Sequence, residues 1–176
     1  MSATELKAAL SLALVFFLRM LPLFIILPIL SLTESTYMHA TPQLLGLALG
    51  IYGLTQAILQ IPFGMLSDRW GRKPIIVLGL IIFGIGSLIA AMADSIYGLL
   101  IGRALQGAGA VAAAIMALAA DLTEEESRTK IMAFIGISIG AAFSIAFILG
   151  PILYEYIGID GIFFLSTCFS IIAIIV

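Results

Sequence analysis

Long apolar runs separated by short polar or charged stretches fill almost all of this 176-residue chain. A helix needs about 20 apolar residues to cross roughly 30 Å of hydrocarbon. Runs of that length fall at about 6–32, 43–66, 74–93, 97–120, 130–153 and 161–176. The pattern predicts an all-α polytopic membrane protein, a single bundle of six transmembrane helices. Regular backbone is obligatory in such spans, because lipid offers no partners for free N–H and C=O groups. Pro22, Pro28, Pro62 and Pro151 fall inside them and read as kinks.

Composition agrees. Apolar residues make up 62% of the chain, charged residues 10%, and mean hydropathy is +1.24. Soluble domains carry roughly a quarter of their residues charged, so a soluble fold is excluded. A net charge of −2 and the lack of a basic face give no signal for nucleic acid. The single Cys168 lies in an apolar run and reads as a packed small residue. The first apolar run outlasts a signal-peptide core, so it reads as a true span.

Basic residues set the topology. Lys7 precedes the first span; Arg69, Arg72 and Lys73 join the second to the third; Arg128 and Lys130 join the fourth to the fifth. The connections near 33–42, 94–96 and 154–160 contain no Lys or Arg. The positive-inside rule then puts the N-terminus and both charged connections in the cytoplasm, and Glu124, Glu125 and Glu126 count little against it. The last run holds only about 15 residues, roughly 22 Å of helix. A chain that continues beyond Val176 is therefore expected.

The connection at 64–74 reads GMLSDRWGRKP, one carboxylate and three cations on a glycine-punctuated turn. Asp68 and Arg72 are four apart and can pair if the turn is helical. Gly64 and Gly71 allow tight geometry. Asp121, at the same end of the fourth span, can accept from Arg72. An ion pair made in one arrangement of helices and broken in another is a bistable element. The bland alternative is a loop whose cations only hold orientation.

Two ionisable residues lie well inside the spans, Arg19 and Arg103, and charges there mark functional sites by default. Arg19 is too deep for easy snorkelling and points to a water-lined cavity. Arg103 shares a helix face with Gln106, or snorkels to the outer surface. Tyr52, Gln56 and Gln60 share one face of the second span and either line the cavity or bond between helices. No carboxylate lies mid-membrane, and His39 falls in an outer connection. Gly46-x-x-x-Gly50 and Gly136-x-x-x-Gly140 predict close helix crossings. Gly107, Gly109, Ala110, Ala112, Ala113 and Ala114 predict a deeply packed fourth span.

These motifs resemble those of the major facilitator superfamily. The 64–74 turn matches its loop signature G-x-L-x-D-R-x-G-R-K at every fixed position, and residues 103–109 match its fourth-helix motif R-x-x-Q-G-x-G. The resemblance implies the N-terminal half of a twelve-helix fold, with a C-terminal six-helix bundle as its missing partner. It implies a conformational latch of Gly64, Asp68, Arg69, Gly71, Arg72, Lys73 and Asp121 that docks on that partner, and a cavity-facing Arg103 tied to coupling. Segments 18–21, 51–66 and 121–136 resemble bacterial YajR-type efflux transporters. The antiporter pattern G-P-x-x-G-G is only partly present: Gly150 and Pro151 are there, but Tyr154 and Glu155 replace the closing glycines, and Ala146 stands where an earlier glycine is usual.

The resulting expectation is a multi-pass protein of the inner membrane, moving a small-molecule substrate by alternating access. Export of small hydrophobic or drug-like compounds against protons is the first reading. Uptake of a small, possibly anionic, solute is the second, and a non-transporting half-length scaffold the third. The residues suggest no cofactor and no metal, and neither a metal-ligand cluster nor a phosphate loop argues for an enzyme.

Overall fold

The computed structural model describes residues 3–176. Helix α1 is Ala3–Ile29, followed by a 3-10 turn at Leu30–Leu32. Helices α2 (Pro42–Trp70), α3 (Arg72–Ala91), α4 (Ile96–Ala108), α5 (Ala112–Asp121) and α6 (Glu125–Ile175) follow. Among the described residues there is no β-strand, only an isolated bridge between Met38 and Ser95. The starts of α2 and α4 are chemically marked. Thr41 caps α2 by accepting from Leu44 N–H at 3.2 Å with Pro42 in the first turn, and Ser95 caps α4.

The helices differ from the hydropathy pattern in three places. The 64–74 stretch is no loop: α2 runs to Trp70 and α3 starts at Arg72, leaving Gly71 as the whole connection at φ 96°. That left-handed value is one glycine reaches without a Cβ clash. The fourth span is not continuous but breaks at residues 109–111 between α4 and α5. The fifth and sixth spans are joined without a loop. Helix α6 runs through 154–160 and turns only at Gly158, φ 66°, which divides it into limbs of 125–157 and 159–175.

Helix α1 packs chiefly along α6. Its residues enter both apolar cores, Leu21, Ile25 and Ile29 at one end and Ala9, Leu12, Val15 and Phe16 at the other. The first core lies beneath the turns at 33–41 and 92–95, which are pinned together by Met38 N–H to Asp94 O (2.9 Å) and Ile96 N–H to Met38 O (3.1 Å).

The glycines that bring helices together are not those of the two G-x-x-x-G pairs. Gly46, Gly50, Gly136 and Gly140 have nothing within 4 Å of where a Cβ would stand. One close crossing is α3 on α4, where a methyl at Gly86 would fall 2.5 Å from Gln106 N and one at Gly102 2.7 Å from Ala90 N; another is α4 on α2, where a methyl at Gly107 would collide with Tyr52 O. The G-x-x-x-G spacing records helix-face periodicity but not which face meets a neighbour. Cys168 likewise departs from the packed position expected of it and sits on the bundle's outer surface.

Candidate functional site: a bridged arginine and two buried ones

Arg72 stands at the corner where three helices end. Asp68 and Arg69 occupy the last turn of α2, Arg72 opens α3, and Asp121 closes α5. Arg72 Nε donates to Asp121 Oδ2 at 2.9 Å, while Nη1 donates to Asp68 Oδ1 and, at 2.8 Å, to Ser67 Oγ. Ser67 Oγ in turn donates to Gly64 O at 2.6 Å. The planar guanidinium therefore ties the end of α2 to the end of α5 with donors in a fixed fork. The carboxylates are largely solvated, with side chains 61% exposed for Asp68 and 54% for Asp121. Ion pairs this exposed contribute about 0.2–1 kcal/mol each. Arg69 and Lys73 are exposed and make no ion pair among the described residues. At Gly64 a methyl would meet Ala113 Cβ at 3.6 Å, ordinary contact, so this glycine is not sterically demanded.

Both intramembrane arginines are 1% exposed and sit between helices. Arg19 Nη2 donates to Gly109 O at 2.8 Å, and its guanidinium carbon lies 5.7 Å from the Phe83 ring centroid. Its Nε and Nη1 are buried without partners. Arg103 does not snorkel outward: Nε donates to Ala48 O at 3.2 Å, Nη1 donates to Gln106 Oε1 at 2.7 Å, and the guanidinium stands 4.6 Å from the Tyr52 ring centroid. Gln106 Nε2 donates to Ser87 Oγ (2.7 Å), which donates to Phe83 O (2.8 Å).

Helix α3 thus serves both arginines through one turn. The Phe83 ring faces Arg19, and the Phe83 carbonyl ends the chain that starts at Arg103. No carboxylate pairs with either arginine among the described residues. Three guanidinium nitrogens, Arg19 Nε and Nη1 and Arg103 Nη2, remain free to donate to a buried acceptor.

The remaining candidates separate from this group. Tyr52 joins it through its ring, although its hydroxyl is buried and unpartnered. Gln56 and Gln60 are half-buried on α2, and Gln56 Oε1 has no partner. Gly150 packs against Ile25 and Ile29 of α1, while Pro151 is exposed. His39 is exposed with φ 61°. No cluster of three or more His, Cys, Asp or Glu among the described residues could hold a metal ion. Ser67, Phe83, Ser87 and the Gly109 carbonyl were not foreseen from the sequence. The serines carried no signal, being single hydroxyls on apolar helices, and a carbonyl acceptor is freed only by the break in the fourth span.

The bundle, its bridged corner arginine and its buried pair define a polytopic membrane protein of transporter architecture. The chain belongs to the Major Facilitator Superfamily, whose family model matches residues 12–176. It is 54% identical over 165 residues to the inner membrane transport protein YajR of Escherichia coli (strain K12), covering 94% of this chain and 36% of that protein. It is 34% identical over 114 residues to a class B tetracycline resistance protein of Escherichia coli, covering 64% of this chain and 27% of that one. The human organic anion transporter MFSD10 superposes with a TM-score of 0.80 at 21% identity, over 99% of this chain and 47% of that one. The chain thus spans less than half the length of these relatives.

Proposed function

We propose that this chain is the N-terminal bundle of a secondary active transporter that exports small hydrophobic compounds against protons by alternating access. The observation that carries the reading is Arg72 held between Asp68 and Asp121, because that corner joins three helix ends through bonds weak enough to exchange. The likeness to a tetracycline resistance protein supports an export role. Likeness to an inner membrane transport protein, together with the basic residues at Lys7, 69–73 and 128–130, supports an inner-membrane location with a cytoplasmic N-terminus. With no mid-membrane carboxylate in this chain, Asp68 and Asp121 at the inner rim are the candidates it offers for carrying a coupled proton. Otherwise the titrating acid belongs to a second bundle that completes the latch.

A second reading is favoured by one observation: two buried arginines without a carboxylate partner suit an anionic cargo. A non-transporting scaffold has no use for either feature. Proton movement in proteoliposomes, challenged with lipophilic cations and with anionic metabolites, separates the three. Substrate-dependent flux that Asp68→Asn abolishes supports coupled transport, and the responding compound fixes the cargo class. Flux untouched by Asp68→Asn reduces the corner to a topological signal. Silence from well-folded protein supports the scaffold.

A further inference from the structure

At the membrane surface that carries the Arg72 corner, a cavity of about 500 Å³ opens between α1, α3, α5 and the second limb of α6. Its mouth is basic. Lys7 and Lys73 line it from α1 and α3, both are exposed, and neither pairs with a carboxylate among the described residues. The N-terminus of α3, which has no side-chain cap, adds the positive end of a helix dipole beside Lys73. Its body is apolar, lined by Leu12, Val15, Ile76, Leu80, Leu118 and Ile174. From Lys73 to Leu80 and from Lys7 to Val15 the helices advance about 10–12 Å at 1.5 Å per residue, which sets the depth of the apolar part. The acids of the same rim, Glu5, Asp121 and Glu124, line an adjoining cavity of about 380 Å³ that shares Thr4 and Leu122 with the first.

A pair of lysines over an apolar cavity is complementary to an amphiphile with an anionic head and a hydrocarbon tail. We propose that this cavity binds an anionic phospholipid, its phosphate between Lys7 and Lys73 and one acyl chain between α1 and α3. A soluble phosphate would use the lysines but leave the shaft empty. A zwitterionic lipid would fill the shaft but bring its own cation up to both lysines. The site is distinct from the buried arginines, and it places a lipid one residue from Arg72, so occupancy is positioned to bias the corner.

The test is native mass spectrometry of the full chain purified in detergent, titrated with phosphatidylglycerol, phosphatidylcholine and glycerol phosphate. The wild type should retain phosphatidylglycerol in preference to phosphatidylcholine, and glycerol phosphate should not displace it. Lys7→Gln with Lys73→Gln should weaken retention about twenty-five-fold, as the product of about fivefold for each lysine near an anionic surface. Ser11→Phe, which narrows the shaft and keeps both lysines, should weaken it too. Arg128→Gln with Lys130→Gln, equal in charge loss but outside the cavity lining, should leave it unchanged. Equal retention of both lipids overturns the proposal, as does displacement by glycerol phosphate, an intact Ser11→Phe complex, or an equal loss in the Arg128/Lys130 control. Circular dichroism on each variant separates lost binding from lost fold.

Discussion

Arg19 reaches ninety positions along the chain to donate from Nη2 to the carbonyl oxygen of Gly109 at 2.8 Å. Gly109 lies at the C-terminal end of α4, where unpaired carbonyls carry partial negative charge and a cation is favourable. The break in the fourth span and the buried arginine therefore explain one another: the broken helix frees a carbonyl, and the arginine satisfies it. The exchange is incomplete, because Nε and Nη1 stay unpartnered.

The consequence is a prediction about stability against function. Arg19→Met removes a charge-assisted hydrogen bond of about 1.5–3 kcal/mol but also removes unsatisfied buried donors, which cost about 1–3 kcal/mol each. The two effects offset, so thermal unfolding in detergent should change by no more than about 1.5 kcal/mol, while transport is lost. A large fall in the unfolding midpoint would make Arg19 a structural cap alone.

Glycine substitutions should sort by the faces they occupy. Gly86→Ala drives a methyl to 2.5 Å from Gln106 N, backbone that cannot yield without separating α3 from α4. A destabilisation of about 1–3 kcal/mol is expected from overpacking. Gly46→Ala and Gly136→Ala meet nothing within 4 Å and gain up to about 1 kcal/mol of helix propensity. Thermal unfolding of the three variants checks the order. A fall at Gly46 or Gly136 as large as at Gly86 would mean that another part of the protein covers those faces.

Tyr37 carries a pH dependence. It is 4% exposed in the 33–41 turn, and its hydroxyl has no partner. Burial, with smaller contributions from Asp160 and Tyr154, pushes its phenol well above the ordinary tyrosine range. The folded chain holds that proton more tightly than the unfolded chain, so the contribution to stability is complete below about pH 10 and is lost as pH rises beyond it. In an ultraviolet titration at about pH 11, Tyr37→Phe should show one un-ionised tyrosine fewer than the wild type for as long as the protein stays folded. Because the hydroxyl is unsatisfied, the same variant should be neutral or stabilise by up to about 1 kcal/mol.

Much of this architecture is legible in the sequence because lipid leaves one solution for backbone groups, so apolar length alone announces the spans. Arg19 and Arg103 stand out for the same reason, as charges where charge is costly. Hydropathy is blind to what happens inside an apolar run. The break at Gly109 and the turn at Gly158 cost no hydrophobicity, so the fourth span reads as continuous and a loop is expected where α6 runs on. Facing is equally hidden: Gly46 and Gly102 look alike on paper, but only Gly102 meets a neighbouring backbone. The Asp68–Arg72 pair forms without the helical turn its spacing called for: Gly71, at φ 96°, breaks the helix between them, and the pair joins the end of α2 to the start of α3.

Arg72→Lys isolates geometry from charge at the corner. Lysine keeps the positive charge, so the orientation set by basic residues is preserved. It is a point charge on a flexible stem and cannot span Asp68 and Asp121 with a planar fork as Arg72 does through Nη1 and Nε. Stability should fall by no more than about 1 kcal/mol, since both carboxylates are more than half exposed. Transport should nonetheless drop sharply, with wild-type accessibility of a cysteine placed near the N-terminus reporting unchanged topology. Wild-type transport by Arg72→Lys would show that the corner needs only a cation, and the bridge to Asp121 would lose its role.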